Sequence, residues 1–368
     1  MKVAYDNQIF NMQKYGGISR YYTELASKIY DYSVNAKVFA GLHKNNYIQE
    51  YEDSFVIGKK IKYPPKSTSA LLKANSVLAD RFFNKHRPDI VHRTYYKNAN
   101  KIKRSVNVAT VYDMIHELFP NDFSNKDNTA YLKRIAVKNA DHIICISEST
   151  KKDLLGIYDI PESKISVTHL GYHALSNTAP VYKGVEAFHS LEKPFLLFVG
   201  HRGGYKNFSR FLKAVSVSKS LLTDLDIIAF GGGVFSLDEK RYILELGFRE
   251  EQVKNIQGGD DILSALYSKA AIFVYPSLYE GFGLPPLEAM DHHCPVVCSN
   301  TSSIPEVVGN AALKFSPLDI EDMKYTIEKA MYDFSTRDNL VLAGLERTKN
   351  FSWEKCATNT LKVYRSIL

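Results

Sequence analysis

The fold class that this chain predicts is α/β, built as two Rossmann-like domains. Three observations carry the expectation. The chain has 368 residues, too many for one typical core and suited to two domains of roughly 170 residues. Short apolar runs alternate with segments of helical period along its whole length. In each half an early apolar run ends in a glycine turn that leads into a helix, at Gly16-Gly17 in the first half and Gly203-Gly204 in the second.

Taken in order, Lys2-Val3-Ala4-Tyr5 reads as the first strand, and Gly16-Gly17 as a turn opening a helix on which Ile18, Tyr22, Leu25 and Ile29 share a face. The turn lacks Gly-x-Gly-x-x-Gly, which disfavours a hydride-transferring dehydrogenase. From Gly58 to Lys73 five lysines lie among apolar and aromatic residues. The segment is either a solvated basic loop or a contact for an anionic membrane surface or lipid-linked phosphate. Two strands follow, one ending at His92 and one running from Val106 towards Asp113 and His116. Each sets polar groups at the carboxyl end of an apolar run, where open α/β sheets place ligands. Asp113 and His116 either position a ligand or hold their loop, whereas a lone strand-end histidine such as His92 is more often a satisfied structural group. A strand over Ile143–Ile146 leads to Ser147 as a helix cap, and the segment from Lys164 to Gly171 closes the first domain, 1–172.

Residues 173–193 lack sustained periodicity and read as a linker. The second domain, 194–351, opens with the strand Phe195–Val199 and the turn His201 to Phe208. Arg202 and Lys206 on that turn suit a leaving pyrophosphate, whose growing charge needs neutralising. Asp224-Leu225-Asp226 imitates a metal-binding Asp-x-Asp, but it precedes its strand and so occupies the end opposite to ligands; no essential metal is expected. Gly231 to Gly233, after that strand, either touch a nucleotide phosphate or only make a turn. The stretch around which the chain is organised follows the buried run Ala270–Val274: Tyr275-Pro276-Ser277-Leu278-Tyr279-Glu280-Gly281-Phe282-Gly283-Leu284-Pro285-Pro286-Leu287-Glu288-Ala289-Met290. It reads strand, glycine loop, helix, with the prolines in the first helical turn. The N–H groups of Gly283 and Leu284 gather there at the positive helix end, bracketed by Glu280 and Glu288. Ser303 with Glu306 has capping-box spacing. A last helix over 352–368 has Leu361, Tyr364 and Leu368 spaced to dock on a neighbour.

Composition excludes several classes. The net charge of +7 comes without a basic stripe carrying stacking aromatics, so no nucleic acid partner is expected. No apolar run approaches about 18 residues, and the amino-terminal residues form a strand rather than a secretory segment, which predicts a cytoplasmic protein. Cys145, Cys294, Cys298 and Cys356 are scattered in apolar surroundings and read as reduced thiols. The alternation of side chains from Cys294 to Ser299 keeps them from converging with His292 and His293 on zinc.

The stretch Glu280 to Glu288 resembles the Glu-x7-Glu signature of glycosyltransferase family 4, the retaining enzymes of GT-B fold, also described as glycosyl transferases group 1. The resemblance implies two facing Rossmann-like domains with the C-terminal helix crossing back to the first. It implies that Glu280 contacts hydroxyls of a donor sugar, that Glu288 holds the nucleotide ribose, and that the amides of Phe282, Gly283 and Leu284 bind sugar and phosphate. Gly16 and Gly17 would lie near donor phosphates and acceptor, and Arg202 with Lys206 would match the family's basic pair, His201 being the alternative to Arg202. Many relatives carry a His-Asp pair where this chain has Tyr112-Asp113, which leaves the roles of Asp113 and His116 open. Implied partners are a nucleotide-sugar donor and a glycan or lipid-linked acceptor, with mannose from GDP and surface polysaccharide assembly as the setting, and no cofactor. The rival readings are an epimerase or hydrolase on the same scaffold and a catalytically silent nucleotide-sugar-binding partner.

Overall fold

The computed structural model describes residues 1–64, 67–98, 101–172 and 193–368. The linker expected over 173–193 lies outside them except for Lys193, as do Pro65 and Lys66 of the basic segment. The chain divides into two compact units, one of Met1–Glu117, Ser124–Gly171 and Phe351–Leu368, the other of Leu118–Phe123 and Tyr172–Asn350.

The first unit is built on a parallel sheet of seven strands among the described residues: β1 (Lys2–Tyr5), β2 (Asn35–His43), β3 (Val56–Lys60), β4 (Ile90–Arg93), β5 (Val106–Val111), β6 (His142–Cys145) and β7 (Ile165–Val167), in the order β3-β2-β1-β4-β5-β6-β7. Central strands are buried on both faces, as at Ile143, Ile144 and Cys145, because helices cover both faces of a parallel sheet. The helix Gly17–Asp31 buries Tyr21, Tyr22, Leu25, Ala26 and Ile29. Ser147 caps its helix as expected, accepting from the Thr150 N–H. The basic segment divides between β3, a short connection and the helix Thr68–His86, so it is not one loop.

The helix Trp353–Ser366 belongs to this first unit and packs on the helix Gly17–Asp31. Leu361 and Tyr364 are buried, but Leu368 is exposed, since the helix ends two residues before it. Tyr364 enters a cluster of buried phenols with Tyr5, Tyr21 and Tyr22. Its hydroxyl lies 2.5 Å from His92 Nδ1 and 3.2 Å from the Tyr5 hydroxyl. His92 Nε2 is 2.8 Å from Thr110 Oγ1. His92 is therefore a satisfied core group, and the helix is fixed by polar contacts as well as by packing. Beside it, burial would raise the Asp6 carboxyl, but Lys97, Arg93 and the bonds from Thr94 outweigh this and hold it at about 2.

The second unit carries a six-stranded parallel sheet: β8 (Phe195–Val199), β9 (Asp226–Phe230), β10 (Val253–Ile256), β11 (Ile272–Tyr275), β12 (Val296–Ser299) and β13 (Leu313–Phe315), in the order β10-β9-β8-β11-β12-β13. Strand order reverses between β8 and β11, which makes the carboxyl ends of these two strands the switch point where such sheets bind ligands. A core of Phe198, Phe211, Leu212, Val215, Ile227 and Val274 seals one face. Asp226 opens β9 and Asp224 ends the helix before it, so both acids lie at the sheet's other edge. They face Arg249 and the Tyr332 hydroxyl.

All four cysteines are free and buried. Burial pushes the Cys145, Cys298 and Cys356 thiols up to about 12, which leaves them protonated and inert. His292 is engaged elsewhere: its Nδ1 lies 2.8 Å from the Glu288 carbonyl, an acceptor, so Nδ1 carries the proton and Nε2 accepts from Ser264 Oγ at 2.7 Å. No helix among the described residues is long and apolar enough to cross a membrane.

Burial lowers the His92 imidazole to about 3, the Asp6 charge opposing it only partly. An unfolded chain takes up that proton near pH ~6.5, so below this pH the unfolded state binds more protons and is favoured. The stability is fully present above pH ~6.5 and is lost as pH falls towards 3, by up to about 1.4 kcal/mol per pH unit for this one group. Urea titrations of the wild type and His92→Gln between pH 5 and 7 should show the variant losing less stability on acidification. Parallel losses would remove His92 as the source.

Candidate functional site

At the end of β11 the chain turns through Pro276–Gly283 and enters the helix Leu284–Asp291. Gly283 caps that helix at φ +107°, a left-handed conformation that needs glycine. The Glu280 side chain is nearly buried, and its Oε1 accepts from Lys206 Nζ at 2.6 Å. Lys206 comes from the other strand of the switch point, on the turn Gly204–Lys206 after β8. Asn207 ties the two turns together, its Nδ2 donating to the Pro276 carbonyl at 3.0 Å and the Pro317 carbonyl at 2.8 Å. The Leu278 N–H adds a bond to the Tyr205 carbonyl at 2.7 Å. The ammonium lies 5.7 Å from the centre of the Tyr275 ring, whose hydroxyl is held well above its ordinary pKa by burial and then by the Glu280 charge.

Ser303 departs from the expected capping box. It makes no side-chain cap; its Oγ bridges to the carbonyls of Glu280 and Phe282, each at 2.8 Å. The neighbouring Ser302 Oγ accepts from the Glu280 N–H at 2.9 Å. These hydroxyls satisfy a buried glycine loop that has no secondary-structure partner for its own backbone, and they fix where the Glu280 carboxylate points. Sequence reading assigned Ser303 to the local helix because spacing reports only local partners.

Glu288 stands in the first turns of the helix Leu284–Asp291, half-buried, with Tyr267 donating to its Oε2 at 3.2 Å. The chain thus brings together Lys206, Glu280, Phe282, Gly283, Leu284 and Glu288 around the carboxyl ends of β8 and β11. A cation, two carboxylates and the amide-rich start of a helix suit a ligand that is anionic at one end and hydroxylated at the other.

Arg202 has a different setting from Lys206. Its guanidinium is turned onto the Gly231 to Val234 turn and Glu239, and side-chain exposure is 4%. Gly231 therefore meets Arg202 through its carbonyl, at 2.9 Å.

In the first unit, Gly17 opens its helix while the Gly16 carbonyl accepts from Ser19 Oγ and the Arg20 N–H. The Gly16 φ of 164° is extended backbone, and the end of the Gln13 side chain packs closely against it. Asp113 and His116 flank Ile115 on one short turn after β5. Asp113 Oδ1 accepts from the Ile115 N–H at 3.0 Å, and His116 Nε2 is 3.9 Å from Asp127 Oδ2. Tyr112 is buried, with its hydroxyl on the Thr94 carbonyl at 3.2 Å.

Lys133, which periodicity places in an ordinary helix, holds that turn. It is fully buried, with Nζ donating to Glu117 Oε2 at 2.7 Å and the Asp113 carbonyl at 2.8 Å. Tyr158 donates to the other Glu117 oxygen at 2.8 Å. Replacing Lys133 with Met leaves the Glu117 charge without its cation, and breaking such a pair costs about 3–5 kcal/mol. Chemical denaturation of Lys133→Met should show a loss of this size, partly recovered in Lys133→Met/Glu117→Gln; an unchanged midpoint would mean that the pair contributes nothing.

Comparison with known proteins agrees with this geometry. A model of Glycosyltransferase Family 4 matches residues 15–174 and one of Glycosyl transferases group 1 matches residues 186–347. The chain is 29% identical over 284 residues to the O-antigen chain mannosyltransferase B of Escherichia coli, covering 75% of this chain and 74% of that protein. It is 28% identical over 257 residues to the O-antigen chain mannosyltransferase RfbU of Salmonella typhimurium, covering 65% and 69%. In fold it is similar to Anabaena HepE, solved in complex with UDP-glucose, at TM-score 0.73 and 18% identity over 100% of both chains. With its two matches following one another along the chain, each over strands of one of the two parallel sheets, the protein belongs to the group 1 glycosyl transferases of family 4 and is a glycosyltransferase of GT-B fold.

Proposed function

We propose that the protein transfers a sugar, with retention at the anomeric carbon, from a nucleoside diphosphate donor to a hydroxyl of a glycan or lipid-linked acceptor. The single observation that carries this reading is the pairing of Lys206 with Glu280 at 2.6 Å beside the glycine-capped helix that carries Glu288. Lys206 neutralises charge growing on the departing diphosphate, and the helix-start amides of Phe282 to Leu284 share that work. Glu280 accepts from donor-sugar hydroxyls, and Glu288 from the ribose. As the bond between C1 and the phosphate oxygen breaks, the acceptor oxygen bonds to C1 from the same face, and its proton passes to the departing phosphate. Asp113 and His116, with Gly16 and Gly17, are assigned to the acceptor and donor-phosphate side.

The reading uses no cofactor and no essential metal, and Asp224 and Asp226 lie at the amino end of β9, away from the switch point. The relatives that are O-antigen mannosyltransferases support mannose as the sugar and O-antigen, a surface polysaccharide, as the setting; GDP as its carrier is our assignment. We assign the protein to the cytoplasm, with the lysines between Gly58 and Lys73 either solvated or in peripheral contact with an anionic membrane.

A thermal-shift panel of GDP-, UDP-, dTDP- and ADP-sugars should raise the melting temperature with one base in particular, GDP. Glu288→Ala should weaken donor binding by about 1.5–3 kcal/mol, the worth of a hydrogen bond to a charged group. Lys206→Ala should lower kcat about a hundredfold to a thousandfold, as the loss of one transition-state charge stabiliser does. Unaltered donor affinity in Glu288→Ala contradicts the ribose assignment, and sugar release at one rate with or without acceptor replaces the transferase by a hydrolase.

A further inference from the structure

We propose that Arg202 is a positioning residue which, with Glu239, fixes the turn Gly231–Val234 in the shape that receives the donor diphosphate, and that it does not itself touch the phosphates. The proposal rests on the donor reading above. A guanidinium has five N–H groups, and here each has a protein acceptor. Nε donates to Glu239 Oε1 at 2.7 Å. Nη1 donates to the carbonyls of Gly231 at 2.9 Å and Gly233 at 2.8 Å. Nη2 donates to the Val234 carbonyl at 3.1 Å and Glu239 Oε2 at 3.2 Å. The group also lies over the Phe235 ring, 4.6 Å from its centre. Reaching a phosphate would cost these bonds and leave the Glu239 carboxylate without its cation, and the Glu239 charge already offsets that of the guanidinium.

The turn has reason to need a clamp. Gly231, Gly232 and Gly233 stand at φ +90°, +69° and +76°, a run that only glycines adopt without strain and that unrestrained glycines leave readily. A Cβ on Gly232 would come within 2.7 Å of Arg202 Nη1, so turn and guanidinium are fitted to one another. The Gly231 N–H is held by the Ile256 carbonyl at 3.0 Å. Drawing the carbonyls of Gly231, Gly233 and Val234 onto one cation fixes the peptide planes, and therefore the direction of the N–H groups on the other side, as in backbone nests that bind anions. Glu239 joins the clamp to the next helix, Leu237–Glu245, where it also completes a capping box with Ser236. The guanidinium bond is the chief cause that holds the Glu239 carboxyl below its ordinary range.

Glutamine serves a capping box as well as glutamate does, so Glu239→Gln removes the charge and one acceptor from Arg202 with little effect on the helix. Amide exchange should become faster at Gly231–Phe235 in both Glu239→Gln and Arg202→Lys, with melting temperatures close to wild type. Calorimetry with GDP, UDP, dTDP and ADP should show the Kd of the nucleotide that binds rising about tenfold in each variant. The double variant should be no weaker than the worse single one, because both act through one turn. Donor KM should rise while kcat stays within about twofold. Unchanged exchange in Glu239→Gln overturns the clamp, and so does an unchanged Kd there while Arg202→Lys loses binding and kcat together. Exchange needs no ligand, so a wild type that binds none of the four nucleotides is a separate failure, that of the donor reading.

Discussion

The ion pair between Lys206 and Glu280 is the interaction on which the second unit's chemistry depends. Both side chains are largely buried, 16% and 10% exposed, and two charges leave water at a high cost unless geometry and further hydrogen bonds compensate. The compensation is visible. Ser302 and Ser303 hold the backbone on either side of Glu280, and Asn207 fixes the lysine-bearing turn to the end of β11. A pair kept in this way is preorganised: an anion arriving at Lys206 and a hydroxyl arriving at Glu280 find partners already oriented, with little rearrangement left to be done.

In the first unit two buried polar groups, His92 and Lys133, are answered within the fold in the same way. His92 stands between Tyr364, Tyr22 and Thr110. It thereby couples the last helix to the sheet through hydrogen bonds that an apolar core lacks. Lys133 and Glu117 form a second buried pair whose effect falls on the turn of Asp113 and His116. In both units the groups nearest the proposed chemistry are thus held in place by the residues packed around them.

What was legible in the sequence follows from the range of each signal. Apolar runs bounded by glycine turns marked the strands, and Glu280, Glu288 and Lys206 stood out because the loop chemistry around them is written in consecutive residues. Long-range partners were not legible. The spacing of Ser303 and Glu306 pointed to a local cap, yet the hydroxyl serves carbonyls twenty-odd residues away. Arg202 looked like one half of a basic pair with Lys206, but strand order places Gly231 and Glu239 within its reach. Lys133 gave no signal at all, since a lysine on a helix reads as solvated until its neighbours are known. Leu368 kept the helical spacing past the point where the helix stops.

The structure of the protein with its sugar nucleotide bound tests the central claim most directly. The account predicts diphosphate oxygens within about 3 Å of Lys206 Nζ and of the N–H groups of Phe282 to Leu284, with Glu280 at the sugar hydroxyls and Arg202 still bound to Glu239. A diphosphate seated away from Lys206, or one that draws the guanidinium off Glu239, would contradict it.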